Sequence, residues 1–336
     1  MSTPLFSDTR AILPTTTVYA PPNGASPGGL TERFALEREL GGAGPCRVLL
    51  ARERATGCVV VVKALGGASD PTEPAERARF EREIALTARL RHPNLIDVLD
   101  AGITRDGCLF YTMPFVAGET LRERIARDGP LPVCESLRIA RALAHALHHT
   151  HRRGIVHRDV KPANVLLEAP DGDARHAASR PVLIDFGIAC TFDDSSVDEG
   201  VERITATGLL VGTPAYMSPE QSAGEQAVDG RADVYALGCV LYEMLTGEPP
   251  FSGRTDVVLC RRLRERAPRP RALRRELSRD VDKVVVRALA PLVTSRFRSA
   301  AEFAAALDRA AGRSEDGAAW HTRGWRALRS LAGAIV

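Results

Sequence analysis

The spacing of apolar residues changes once along this chain, and that change limits the folds open to it. From Phe34 to Leu65 they fall in short β-type runs, Arg47 to Leu50 and Cys58 to Leu65, separated by a Gly-rich turn and an Ala-Thr-Gly turn. Residues 74 to 90 read as a helix after a Ser-Asp-Pro-Thr-Glu-Pro start signal, and Leu95 to Leu99 and Leu109 to Met113 as further strands. From Leu131 the period lengthens. Leu137, Ala140, Ala144 and Leu147 keep the i, i+3, i+7, i+10 stripe of a core-facing helix, and residues 233 to 246 are apolar nearly all round, as in a buried central helix. The expected fold is α+β and two-lobed: a small β-rich lobe followed by a larger α-helical one.

Charge and cysteine usage narrow the function. Forty-five Lys plus Arg against 42 Asp plus Glu leave a net charge of +3 in 336 residues, too slight to point to nucleic acid. The 7 cysteines are odd in number and scattered, with no Cys-x-x-Cys pair, so a reducing, cytoplasmic compartment is expected rather than a disulfide framework or a zinc site. Residues 1 to 30 are rich in Pro, Gly, Ser and Thr and read as a flexible tail before a domain over 31–311, with lobes at 31–116 and 117–311. No run of apolar residues is long enough to span a membrane. Residues 312–336 read as a linker and a basic amphipathic segment, with Trp325, Leu328 and Leu331 set among Arg323, Arg326 and Arg329, suited to docking on the domain or to peripheral membrane contact. Membrane association is the alternative to a purely cytoplasmic place if the native chain continues beyond Val336.

Two clusters have bland readings. Residues 261 to 279 hold nine arginines and two glutamates and read as a solvated loop and helix face. His145, His148, His149 and His151 read as exposed residues at a helix C-terminus, where cations are favoured, although His145 and His149 have the i, i+4 spacing of a metal pair.

The chain spells nearly all its cations as arginine: its lysines are Lys63, Lys161 and Lys283. A retained lysine suggests a site needing a compact ammonium. Two of the three lie in ordered motifs. His157-Arg158-Asp159-Val160-Lys161-Pro162-Ala163-Asn164 precedes an apolar run and Ile184-Asp185-Phe186-Gly187, and Val60-Val61-Val62-Lys63 stands upstream with Glu83 in Arg79-Phe80-Glu81-Arg82-Glu83. Gly212-Thr213-Pro214-Ala215-Tyr216-Met217-Ser218-Pro219-Glu220, Asp233 and Ser295-Arg296-Phe297 follow. Over residues 34 to 310 the sequence resembles the Hanks-type protein kinase family in its bacterial Ser/Thr branch.

That resemblance implies a role for each position. Asp159 would accept and orient the substrate hydroxyl proton, and Lys161 would hold the γ-phosphate. Asn164 and Asp185 would hold two Mg²⁺ ions, with Mn²⁺ as an alternative, because hard oxygen ligands suit a cation that also binds phosphate. Lys63 would contact the α- and β-phosphates and pair with Glu83. The loop Leu40-Gly41-Gly42-Ala43-Gly44 with Val48 would cover the phosphates of ATP, and Met113, Pro114 and Val116 would face its adenine. Arg158 would clamp an activation segment phosphorylated at Thr205 or Thr207, in which a phosphate adds close to two negative charges. Thr213 belongs to the Ser/Thr pattern, Glu220 would pair with Arg296, and Asp233 would tie down the catalytic-loop backbone. Ser218 stands where the family usually has Ala.

One departure matters. Ala43 and Cys46 occupy the second and third glycine positions of the phosphate loop, where glycine admits close backbone approach, so weaker or slower use of ATP is expected. The expected activity is transfer of the γ-phosphoryl group of ATP to Ser or Thr of protein substrates and to the chain itself, through a transient dimer. A pseudokinase scaffold is the alternative, motivated by Ala43 and Cys46. A small-molecule phosphotransferase is disfavoured by the Gly212 to Glu220 segment.

Overall fold

The computed structural model describes residues 29–43, 46–65, 80–81, 84–85, 87–104, 107–169, 179–185, 214–225 and 228–312. The chain divides into two compact units, one running to Thr72 and including Asp100–Thr112, the other comprising Glu73–Leu99 and everything from Met113 onward. Of the helix expected over residues 74–90, residues 80–81, 84–85 and 87 are helical and the chain turns at 88–89, while 74–79, 82–83 and 86 lie outside the described residues.

In the first unit a short helix α1 (Leu30–Arg33) leads into strands β1 (Phe34–Ala43), β2 (Cys46–Glu53), β3 (Val59–Leu65), β4 (Asp100–Ile103) and β5 (Leu109–Pro114), in sheet order β1-β2-β3-β5-β4. β-Branched and leucine-rich runs favour this pleated surface. Phe34, Leu49, Ala51, Val60, Val62, Ala64, Cys108 and Phe110 form its core. Phe34 and Phe110 meet edge to face, 5.6 Å between centroids. Arg33 closes that core, its guanidinium lying over both rings while it bonds Glu53 at 2.8 Å and Asp100 at 2.6 Å.

The second unit is helical around one small sheet. Its elements are β6 (Gly118–Thr120), α2 (Leu121–Asp128), α3 (Val133–His151), β7 (Val165–Glu168), β8 (Arg180–Leu183), α4 (Pro219–Ser222), α5 (Arg231–Thr246), α6 (Thr255–Arg264), α7 (Pro270–Leu273), α8 (Arg279–Ala288) and α9 (Ala300–Ala311). Thr120, Ser218, Ser278 and Ser299 cap the starts of α2, α4, α8 and α9 through their hydroxyls. Helix α5 is buried from Ala232 to Leu245, in keeping with its all-round apolar sequence, and packs against α3, α8 and α9. Gly238 makes the α5–α8 approach close enough that a Cβ there would meet the Ala288 methyl at 2.9 Å.

Leu95 to Leu99 do not form the expected strand. Leu95 makes a single bridge to Leu183, and the Asn94 side-chain amide donates to the Pro181 carbonyl at 2.7 Å. The apolar character of Leu95, Ile96 and Val98 reflects burial, each at 5% exposure or less, rather than ladder pairing.

Candidate active site

The His157–Asn164 loop and Asp185 include backbone conformations that L-residues rarely adopt. Arg158 has φ 66° and Asp185 φ 52°, the non-glycine residues with left-handed backbone among those described. Such geometry costs about 1–3 kcal/mol per residue and persists only where its surroundings impose it. At Arg158 the restraint is visible. Asp233, fully buried in the first turn of α5, accepts the His157 N–H at Oδ2 and the Arg158 N–H at Oδ1, each at 2.8 Å. The amide of Gln221 on α4 donates to the Arg158 carbonyl at 3.0 Å. Both main-chain groups of Arg158 are therefore held by side chains from other helices.

A second layer of bonds orients Asp233. His151, at the end of α3, lies 2.7 Å from Asp233 Oδ2, and Gly230 leaves room for its ring: a Cβ there would fall 2.5 Å from His151 Nδ1. Burial would raise the Asp233 carboxyl, yet hydrogen bonding and charge from His151, together with the His157 backbone N–H, hold it below the ordinary carboxylate range. Burial pushes His157 down, so it is the neutral imidazole. Its Nδ1 accepts the Asp159 N–H at 3.3 Å, and Nε2 donates to the Ile184 carbonyl at 3.3 Å.

These restraints fix three candidate site side chains together. Asp159 Oδ2 accepts from Lys161 Nζ at 2.7 Å and from Asn164 Nδ2 at 2.9 Å. A turn of 3₁₀ helix over Pro162–Asn164 delivers Asn164, whose Nδ2 also bonds the Asp159 carbonyl, and whose own carbonyl accepts the Ile184 N–H at 2.9 Å beside Asp185. Asp159 and Lys161 keep 36% and 19% side-chain exposure, so the carboxylate is restrained without being sealed. Both side-chain bonds of Asn164 use its amide nitrogen, which leaves the amide oxygen as a hard donor of the kind a divalent cation takes, and the Ile184 bond to the Asn164 carbonyl brings the Asp185 backbone alongside.

Farther along, Glu220 grips Arg296 in a two-pronged pair, with 2.7 Å for each bond. Alanine was the family expectation at position 218. Ser218 caps α4 and exchanges bonds with Gln221, so the serine positions the amide that reaches Arg158.

In the first unit, Lys63 sits on β3 opposite Val48 of β2, its ammonium 5.6 Å from the Tyr111 ring centroid. Leu40, Gly41, Gly42 and Ala43 run along β1, where Gly42 pairs with Arg47 and Ala43 with Cys46. A Cβ on Gly42 would lie 2.3 Å from the Cys46 carbonyl oxygen. Met113 is buried and Pro114 and Val116 half-buried at and after the end of β5. Gly44, Glu83, Thr205, Thr207 and Thr213 lie outside the described residues, and with Glu83 goes the Lys63–Glu83 pair.

The histidine and arginine clusters need correction. His145 is exposed, His148 and His149 are half-buried, and His151 belongs to the Asp233 network. No group of three metal-capable side chains occurs among the described residues. Arg262, within the run read as solvated, is 1% exposed. Each case carried a periodic signal: His151 is four residues past buried Leu147, and Arg262 four past buried Val258.

Comparison with known proteins agrees with this geometry. The protein kinase domain family matches residues 34–303. Serine/threonine-protein kinase PknB of Mycobacterium leprae is 40% identical over 288 residues, 84% of this chain. This chain belongs to the Hanks-type bacterial Ser/Thr protein kinase family. Another member, the serine/threonine-protein kinase pkn3 of Myxococcus xanthus, is 37% identical over 82% of this chain. The crystal structure of the PknI kinase domain of Mycobacterium tuberculosis matches with a TM-score of 0.62 at 33% identity, covering 83% of this chain and 96% of that one. The chain spans under half the length of the curated kinases it matches, 44% of PknB and 49% of pkn3. No helix among the described residues is long and apolar enough to cross a membrane.

Proposed function

We propose that the chain is an ATP- and Mg²⁺-dependent serine/threonine protein kinase that also phosphorylates itself. The observation that carries the reading is the Asp159 carboxylate, half-exposed, bonded to Lys161 and Asn164, on a loop clamped by buried Asp233. Phosphoryl transfer asks mainly for positioned charge. Asp159 accepts the hydroxyl proton of the attacking Ser or Thr, and Lys161, already beside it, neutralises charge on the transferred group. Asn164 and Asp185 would hold the divalent cation, which when bound offsets the negative charge of the phosphates. Lys63 contacts the α- and β-phosphates and pairs with Glu83, the β1–β2 hairpin covers the phosphates, and Met113, Pro114 and Val116 face adenine.

Regulation follows from the family resemblance. Thr205 and Thr207 are acceptors, phosphorylated in a transient dimer and read by Arg158, and Thr213 marks the Ser/Thr class. The domain spans 31–311 and works in the cytoplasm, its C-terminal basic segment free to touch a membrane surface.

The test is incubation with Mg²⁺ and γ-labelled ATP beside Asp159→Asn, with phosphosites mapped by mass spectrometry. Label on Thr205 or Thr207 in the native protein and none in the variant is expected. Nucleotide binding without any label would identify a pseudokinase.

A further inference from the structure

Two arginines are the largest side chains buried to 1% exposure, and their surroundings differ sharply. Every N–H of the Arg296 guanidinium has an acceptor: the two Glu220 oxygens and the carbonyls of Arg231, Ala290 and Pro291, all within 3.2 Å. Arg262, on α6, makes one long bond to a hydroxyl, Nη1 to Ser222 Oγ at 3.5 Å, interacts with the neutral Tyr235 phenol, and finds no acceptor within hydrogen-bond distance for its Nε and Nη2. No carboxylate lies within ion-pair distance of Arg262 among the described residues. Burial raises the neighbouring Tyr235 phenol and pushes the Cys239 thiol up to about 12, Arg262 opposing both, so at neutral pH neither supplies an anion. A buried guanidinium without a counter-charge is costly, and an oxyanion at this point would offset that cost.

Ser222 is where the oxyanion can arrive. It is half-buried at the end of α4, followed by the exposed turn Ala223-Gly224-Glu225, and its Oγ lies 3.5 Å from Arg262 Nη1. We propose that Ser222 is a phosphorylation site whose phosphate is received by buried Arg262. In the transfer, Ser222 Oγ bonds to the γ-phosphorus of ATP, the bond from that phosphorus to the leaving oxygen of ADP breaks, and the hydroxyl proton passes to Asp159 of the acting copy. The choice of donor enzyme rests on the kinase reading given above; the receptor does not.

The placement gives the phosphate a route to the catalytic loop. Within α4 and its cap, Gln221 holds the Arg158 carbonyl, Glu220 holds Arg296, and Ser218 caps the helix. Charge-assisted bonds from a Ser222 phosphate to Arg262 fasten α4 to α6 and steady the Gln221 amide at Arg158.

Two measurements test this. Phosphoserine encoded at position 222 of the full chain is expected to raise Tm by about 3 °C or more, a gain lost in Arg262→Gln and kept in part in Arg262→Lys. Without phosphate, Arg262→Gln is expected to match or exceed the native Tm, because it removes an uncompensated buried charge. A phosphoserine that lowers Tm, or shifts it equally in both backgrounds, overturns the proposal. So does an equal gain by the unmodified protein in millimolar inorganic phosphate, which would make the site a free-anion site. Second, trypsin releases residues 204–231 as one peptide after incubation with Mg²⁺ and ATP, since no Lys or Arg lies between Arg203 and Arg231. Phosphate on Ser222 is expected there. Label on Thr205 or Thr207 but never on Ser222 sinks this proposal, whereas a chain that labels nowhere while the encoded-phosphoserine gain persists sinks only the kinase reading.

Discussion

In the catalytic loop, the N–H and carbonyl of Arg158 are held by side chains from two other elements, Asp233 of α5 and Gln221 of α4. In the β1–β2 hairpin, Gly42 and Ala43 are held by main-chain pairing with Arg47 and Cys46. A shape set by remote side chains is lost when one of them changes. A ladder of backbone bonds tolerates most substitutions, because every residue brings the same N–H and carbonyl. The contrast explains how the hairpin can keep its form with Ala43 and Cys46 at the second and third glycine positions of the phosphate loop. Among the described residues of the hairpin it also locates a strict demand at Gly42, where the facing Cys46 carbonyl leaves no room for a methyl group.

The comparison breaks most readily at Asp233. Asp233→Ala leaves His151 and two backbone donors without their acceptor and is expected to cost about 3 kcal/mol or more, with phosphate transfer falling by roughly 10²-fold as Asp159 drifts. Urea unfolding and steady-state kinetics measure both, and a folded variant with native turnover would show that the loop holds itself. Next in size is Gly42→Ala, expected to destabilise by roughly 1–3 kcal/mol and to raise the KM for ATP, while Cys46→Gly leaves both nearly unchanged. Equal effects at the two positions would mean that side chains shape the hairpin as well. The mildest probe is acid. His157 and Asp233 both bind protons less readily folded than unfolded, so their contribution is present at neutral pH and is lost as pH falls below 6.5 for the histidine and 3.8 for the aspartate. Melting curves from pH 7.5 to 5 should show Tm falling with pH, and a Tm flat across that range would remove buried, neutral His157 from the account.

Much of this arrangement is legible in the sequence. Asp159, Lys161 and Asn164 fall within six positions of one another, so local turns alone bring them together, and the apolar run around Asp233 marks it as buried. Other residues stayed hidden because their partners are distant. His151 meets Asp233 across 82 positions and Gln221 meets Arg158 across 63, and each looks like an ordinary polar surface residue until the helices pack. Arg262 was hidden by company, since eight other arginines around it suggested solvent. Leu95 to Leu99 show the opposite error, in which apolar residues that are merely buried imitate a strand.

The left-handed backbone at Arg158 and Asp185 also shapes how this molecule can drift under selection. Glycine adopts that conformation without steric cost, so Arg158→Gly and Asp185→Gly relieve strain at two positions to which the proposed mechanism gives side-chain roles. A population selected for heat tolerance alone therefore has an open path to a sturdier protein that no longer transfers phosphate, and only continued demand for activity keeps the strained residues in place.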